Sequence, residues 1–331
     1  MGALKGRRVL VTGGGGFIAS HLVRRLVRLD AEVFIVTKYQ SAIDNVRLLD
    51  LWDRVRVIEA DIRNLDSLRQ LGAVRPEVVF HLAAYNHVGD SFLHVNEALD
   101  CNAKGTANVL DSCDGYERFV YISTSEVYGS QPSVPFIESM CPNPISPYAV
   151  GKYAGELYCR MRMQTRDRRI VVLRPFNAFG PYQSPRAVIA ELILTFLSGK
   201  TVRTTAGEQT RDFNYVANLV DGFILAGEWE EAVGQIINLG SGVEISIRDL
   251  VRAIQEATGS RSEVEIGALP YRPTEIWRMS ADSSLARRLL GWSPKVDFAE
   301  GLRRTVAWYR EYVKEFQDPR SRMHSLAGMW E

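Results

Sequence analysis

The stretch that most narrows what this chain can fold into is Val9-Leu10-Val11-Thr12-Gly13-Gly14-Gly15-Gly16-Phe17-Ile18-Ala19. A short apolar run, a glycine cluster and an amphipathic segment read in turn as strand, tight turn and helix. Glycines let the backbone turn sharply and approach a ligand with no side chain between. The helix that follows presents unpaired N–H groups and the positive end of its dipole, which suits a pyrophosphate. The spacing is Gly13-x-x-Gly16-x-x-Ala19, not the Gly-x-Gly-x-x-Gly of the usual fingerprint. Gly15 allows that second spacing with Gly13, but Gly13 and Gly16 fit the first. Placed between strand and helix, the turn reads as a dinucleotide site rather than a plain turn.

Size and charge bound the rest. At 331 residues the chain suits one large or two intimate domains. Its 46% apolar and 24% charged content is that of an ordinary soluble globular protein. A formal charge of +1 gives no global pull toward nucleic acid or an anionic membrane. The basic stretch from Arg160 to Arg169 reads as the solvated end of a helix, where cations suit the dipole. No apolar run reaches the length of a membrane span, and the N-terminus lacks a signal-peptide apolar region. Cys101, Cys113, Cys141 and Cys159 form no C-x-x-C pair, so neither a zinc site nor a disulfide framework is indicated. The expectation is a cytoplasmic protein with reduced thiols and no metal.

In chain order, Ala19 to Leu29 has helical spacing, and Glu32-Val33-Phe34-Ile35-Val36-Thr37 reads as a second buried strand. A free ribose 2′-hydroxyl is usually held by an acid at this strand's end. Here the end is Thr37-Lys38-Tyr39-Gln40-Ser41, with no acid. Lys38 and the hydroxyls suit a 2′-phosphate, so NAD(P) is expected with a lean toward NADP. Arg54 to Ile62 is a third strand; Asp61 beside Ile62 meets the adenine amino group or caps the helix beginning near Asn64. Val78 to Ala84 is a fourth, ending in Leu82-Ala83-Ala84 where a backbone can pass close to the cofactor. His81 within it reads as a satisfied core histidine. A helix from Asn96 to Ser112 carries Asn102, polar amid an apolar pattern, and Phe119 to Ser123 is the fifth strand. This alternation predicts a doubly wound parallel α/β sheet with ligands at the carboxyl ends of its strands.

At such an end lies Thr124-Ser125-Glu126, and further on Tyr148-Ala149-Val150-Gly151-Lys152 opens a helix. Residues four apart share a helical face, so Tyr148 and Lys152 point together. A lysine ammonium beside a phenol favours phenolate and makes it usable as a base near neutrality.

These motifs together resemble the extended short-chain dehydrogenase/reductase family, in its nucleotide-sugar branch. The likeness runs from Thr12-Gly13-Gly14-Gly15-Gly16 through His81-Leu82-Ala83-Ala84, Ser123-Thr124-Ser125-Glu126 and Tyr148 to Lys152. It continues through Arg174-Pro175-Phe176-Asn177 and Thr210-Arg211-Asp212-Phe213 to Leu289-Leu290-Gly291-Trp292. Ala19 stands where the family usually has its third glycine. The resemblance implies a Rossmann-type domain over 1–175 with returns near 212–242, a smaller C-terminal nucleotide-sugar domain over 176–211 and 243–318, and a tail over 319–331. It implies cofactor contacts from Gly13, Gly16, Phe17, Ile18, Lys38, Asp61, Ile62, Leu82, Ala83, Ala84, Tyr148 and Lys152. Substrate contacts are expected from His87, Asn177, Arg186, Arg211, Arg272 and Arg278, arginine forks pairing well with phosphate oxygens.

The resemblance also implies a shared chemical opening. Tyr148, assisted by Lys152 and hydrogen-bonded near Thr124, takes the proton of the sugar 4-hydroxyl while hydride leaves carbon 4. Glu126 then takes the proton on carbon 5, water is lost from carbon 6 and hydride returns there, with the cofactor tightly bound and recycled. Members acting on dTDP-glucose carry Thr-Asp-Glu, and Ser125 replaces that Asp. The Thr-Ser-Glu form resembles GDP-mannose 4,6-dehydratases and UDP-glucuronate decarboxylases, and Ser125 is the weaker acid. The segment Tyr85 to Phe92 and the run Gln183 to Ile189 resemble dehydratases, including those of the legionaminic-acid pathway. A 4,6-dehydratase is therefore expected, with a decarboxylase or 4-epimerase as the alternative. A non-catalytic sensor on the same fold would be expected to lose the Tyr148/Lys152 pair. Members usually dimerise through the helices after Asn96 and Tyr148, so a homodimer is expected, with no nucleic-acid or membrane partner.

Overall fold

Seven short apolar runs pair side by side in the computed structural model, which describes residues 3–38, 46–113, 115–166, 168–272 and 274–317. They are β1 (Arg8–Thr12), β2 (Glu32–Thr37), β3 (Val55–Glu59), β4 (Val78–His81), β5 (Arg118–Ile122), β6 (Ile170–Pro175) and β7 (Ile236–Leu239). Their order is β7-β6-β5-β4-β1-β2-β3, and every pairing is parallel. Strands covered on both faces read as near-continuous hydrophobic runs, and each run here splits by alternation. Val9, Val11, Val33, Ile35, Phe80 and Leu173 face one core, which they share with α1 (Phe17–Arg28). Leu10, Phe34, Val36, Val79, Tyr121 and Val172 face the other. The doubly wound parallel sheet is thus the observed architecture. Tyr39, Gln40 and Ser41, and the tail over 319–331, lie outside the described residues.

On the second face the expected continuous helix from Asn96 to Ser112 is broken. It runs as α2 (Val95–Leu99), a π-helical turn over Asp100–Lys104, and α3 (Gly105–Ser112). Such turns arise where a helix must accommodate a functional neighbour. Asn102 sits in this one, buried, and its side chain accepts from the Tyr85 N–H at 2.8 Å and donates to the Tyr85 carbonyl at 3.0 Å. It also donates to the carbonyl of Tyr148 at 3.4 Å.

The long helix α4 (Pro147–Arg166) crosses behind β5. A Cβ at Gly155 would sit 2.4 Å from Tyr121 Oη, and one at Gly151 would sit 2.9 Å from the Asn102 Cβ. Only hydrogen side chains allow so close an approach of helix to sheet. Farther along the chain α5 (Val188–Leu197), α6 (Val216–Glu228), α7 (Ile247–Thr258), α8 (Ser284–Leu290) and α9 (Phe298–Gln317) follow. Helices α5, α7 and α9 enclose a separate core with Phe179, Phe213 and Tyr215. Ser246 caps α7, accepting from the Asp249 N–H at 3.0 Å.

His81 is fully buried, its two ring nitrogens hydrogen-bonded to Thr12 Oγ1 at 2.7 Å and Thr106 Oγ1 at 3.0 Å. Burial, aided by the Lys152 charge, lowers its pKa to about 3, and burial lowers His21 to about 4. The unfolded chain takes up these protons near its ordinary value of about 6.5, so it binds more protons than the folded one below that pH. Stability is therefore full above about pH 6.5 and falls as pH drops toward 4, by up to about 1.4 kcal/mol per unit for each histidine. Thermal midpoints measured across that range are expected to decline; a flat profile would overturn this account.

Candidate active site

The glycine turn lies where the sequence places it, at the carboxyl end of β1. Gly13 has φ +70°, and a Cβ there would stand 2.8 Å from the Ala83 Cα. Two strand ends thus approach until no side chain fits between them. Gly16 precedes α1, whose first turn holds no acidic residue, so the positive helix end opens on the cleft unopposed. Phe17 and Ile18 pack their side chains on the core beneath, leaving their backbone N–H groups at the helix start. Ala19 is buried at the helix–strand contact without displacing it.

This turn forms one end of a cleft of about 840 Å³. Leu82, Ala83, Ala84, Ile62 and Lys38 line it. So do Tyr85, His87, Asp90, Glu97, Arg47 and Arg186. The close backbone approach, the open helix end and the length of the cleft fit a dinucleotide. Arg47 carried no signal in the sequence, since it sits in a 3₁₀ segment far from any motif. It donates to the carbonyls of Gly15 at 3.2 Å and Tyr182 at 3.0 Å. Asp61 does not cap the next helix, a task done by Asn64, which accepts from the Asp66 N–H at 2.9 Å. Its carboxylate is instead forked by Arg63, which holds it below the usual carboxylate range.

At the carboxyl end of β5, Thr124 accepts from the Glu126 N–H at 3.2 Å and hydrogen-bonds the Tyr148 hydroxyl. Burial raises the Tyr148 phenol to about 12, and the Glu126 charge adds to the rise. The expectation that Lys152 lowers it is not met. The Lys152 ammonium points into the sheet, donating to the Ile122 carbonyl at 2.5 Å and lying 4.4 Å from the Tyr121 ring centre. Burial brings its own pKa down to about 7. Sharing a helical face put the two residues on one side of α4, but the carbonyl at the end of β5 captured the amine.

Glu126 is partly buried, and desolvation raises its pKa, opposed by the charges of Arg211 and Arg272 and reinforced by Glu275. Ser125 departs from its expected place. Its hydroxyl is buried and donates to Met279 Sδ at 3.3 Å, beside Val127 and Phe136.

The substrate candidates divide into three groups. His87 and Arg186 line the main cleft, joined through Asp90, which pairs with both. Arg211 and Arg272 lie within electrostatic reach of Glu126, and Arg211 is held by Glu275 at 2.5 Å and by the Ile276 carbonyl at 2.6 Å. Asn177 keeps a buried Oδ1 with no hydrogen-bond partner, an acceptor that a ligand can satisfy. Arg278 lies elsewhere, exposed and forked onto Glu244 at 2.6 and 3.0 Å beside a separate hollow with Trp277. Arg174, ahead of Asn177 in the same segment, is buried in a bidentate pair with Glu156 at 2.6 and 3.0 Å. Its guanidinium also covers the Tyr128 ring.

The chain is similar to known proteins over most of its length. The family model described as GDP-mannose 4,6 dehydratase matches residues 10–305. The chain is 36% identical to a UDP-glucose 4-epimerase of Mycolicibacterium smegmatis, over 92% of this chain and 98% of that one. It is 34% identical to a dTDP-D-glucose 4,6-dehydratase of Mus musculus, over 92% and 89%. A solved UDP-glucuronic acid 4-epimerase from Bacillus cereus, in complex with UDP-glucuronic acid and NAD, superposes with TM-score 0.85 at 32% identity, over 92% and 99%.

Proposed function

The chain belongs to the extended short-chain dehydrogenase/reductase family, in its nucleotide-sugar dehydratase and epimerase branch, and from that premise we propose that it is a 4,6-dehydratase of a nucleotide-diphosphate hexose. The observation that carries the reading is Glu126, a carboxyl group raised by desolvation and felt by Tyr148. Epimerisation at carbon 4 has no use for a proton carrier there. Elimination across carbons 5 and 6 requires one.

When bound, the nicotinamide dinucleotide supplies the capacity to accept a hydride from carbon 4 and return it to carbon 6. Tyr148 Oη, bonded to Thr124, takes the proton of the sugar 4-hydroxyl. The carbonyl formed at carbon 4 acidifies the proton on carbon 5, which passes to the Glu126 carboxylate. The 6-hydroxyl then leaves as water on receiving that proton from Glu126, since Ser125 is engaged with Met279 and buried. As hydride returns to carbon 6, carbon 5 takes a proton from solvent, to which Tyr148 gives up the one it took. A carboxyl group with a raised pKa suits both halves of that exchange. Arg211, Arg272 and Asn177 are our candidates for the diphosphate and sugar, with His87 and Arg186 at the cleft mouth.

A panel of UDP-, GDP- and dTDP-hexoses, read by mass spectrometry, tests the reading. One sugar is expected to lose the mass of water and give a 4-keto-6-deoxy product. Carbon dioxide release from UDP-glucuronate, or epimerisation alone, would sink it. Epimerase remains the second reading because Ser125 withdraws the acid that dTDP-glucose enzymes of the resemblance possess.

For the cofactor we place NAD ahead of NADP. The lean toward NADP rested on the missing acid at the end of β2 and on Lys38 with its neighbouring hydroxyls, but the Lys38 ammonium lies 3.6 Å from Glu97, and the B. cereus relative is in complex with NAD. We also propose a cytoplasmic homodimer. The first half is supported by four free cysteines. The second rests on exposed apolar side chains on α2 and α4, Val95, Val150, Leu157 and Met161, with Leu93 just ahead of α2, which a partner face would cover. Size-exclusion with light scattering is expected to give twice the chain mass; a monomer would overturn the dimer.

A further inference from the structure

The adenosine end of the cleft carries a charge pattern that the sequence alone did not expose. Lys38 follows directly on β2, at the position where family folds of this type usually place the acid that holds the ribose 2′-hydroxyl. Here an acid reaches the same place from the opposite wall. Glu97, on α2, sets one carboxylate oxygen 3.6 Å from Lys38 Nζ and 3.3 Å from Arg63 Nη1, and His94 lies 4.0 Å from its other oxygen. Arg63 is at the same time forked onto Asp61. Two cations and two carboxylates therefore balance, and both Lys38 and Glu97 line the cleft.

We infer that Glu97 is a specificity-determining residue that makes this site select NAD over NADP. Its carboxylate occupies the anion position between Lys38 and Arg63, the two cations that a 2′-phosphate would otherwise take. A phosphate dianion entering there must either displace Glu97 from both partners or lie against a like charge. A ribose with a free 2′-hydroxyl meets an acceptor in the same position. The pairs are solvent-accessible, with Lys38 half exposed and Glu97 about a third exposed, so screening reduces the discrimination to a modest factor.

The inference rests on the dinucleotide reading of the cleft and not on the dehydratase reaction, so its test is binding rather than turnover. Protein freed of any co-purified dinucleotide is titrated calorimetrically with NAD⁺ and with NADP⁺. Wild type is expected to bind NAD⁺ the more tightly. Glu97→Gln is expected to tighten NADP⁺ about tenfold while moving NAD⁺ by less than about twofold, the size of one partly screened charge contact. Adding Lys38→Ala to Glu97→Gln is expected to remove most of that gain, because the freed ammonium is what the phosphate uses. An unchanged NADP⁺/NAD⁺ ratio in Glu97→Gln, or a wild type that prefers NADP⁺, would overturn the role of Glu97. Failure to bind either dinucleotide would overturn the cleft assignment as well. A sugar panel without water loss would leave this result standing.

Discussion

Glu126→Gln is expected to leave dinucleotide binding unchanged and to lower formation of the dehydrated product by about 10³-fold, within the usual range for losing a positioned acid–base group. The amide keeps the shape of the carboxyl and its place after Thr124, where the backbone N–H of residue 126 is already bonded. What it loses is the ability to take and return a proton. Burial raises the Glu126 carboxyl, and Arg211 and Arg272 hold that rise in check. The group must start as carboxylate, so activity is expected to fall as pH drops through a value above the usual carboxylate range. Wild-type reaction in deuterated water is expected to place one solvent deuteron at carbon 5, read by product mass. In the variant that exchange disappears. Unchanged formation of the dehydrated product would remove Glu126 from the reaction.

Tyr148→Phe is expected to abolish turnover on every sugar of the panel, by about 10³-fold or more, whichever reaction the enzyme performs. The phenol touches Thr124 and faces Glu126, and its pKa of about 12 makes it a poor base at neutrality in the ligand-free geometry. One charge is at hand to bring it down, that of the oxidised nicotinamide when bound; the Lys152 ammonium is turned to the Ile122 carbonyl instead. The pH at which the wild-type rate climbs is therefore expected to follow the cofactor's charge, and Lys152→Met to leave it in place. Glu126→Gln and Tyr148→Phe separate cleanly in this respect. The first spares any sugar chemistry confined to carbon 4, whereas the second stops it. A Tyr148→Phe protein as active as wild type would remove Tyr148 from the reaction.

Much of the frame was legible before any coordinates. Strand period, glycine spacing and the end-of-strand rule located the turn, the sheet and the cleft, because each depends on neighbours close in sequence. What the sequence did not carry has one cause. Lys152, Arg278 and Ser125 were read by residue type, but the partners they hold here lie far along the chain: the Ile122 carbonyl, Glu244 and Met279. A guanidinium looks the same in sequence whether it awaits a phosphate or already holds a carboxylate. Asn102 did give a signal, being polar within an apolar helix, but its reason appeared only when Tyr85 and Tyr148 came to its side chain. Arg47 and Glu97 gave none, since a cation or an acid on a surface helix is the commonest sight in any sequence.

The contact of α4 with β5 has a consequence for anyone wishing to redirect this enzyme to another sugar. With Gly155 against the Tyr121 ring and hydroxyl and Gly151 against the Asn102 side chain, the helix bearing Tyr148 packs too closely to admit a side chain at either glycine. Directed variation there will mostly yield misassembled protein. The segments over 183–187, 268–272 and 274–278 instead carry exposed side chains such as Arg186, Leu269, Trp277 and Arg278, and these are the places to vary. In this scaffold the reaction is cast in the rigid half, and the choice of substrate is left to the adjustable one.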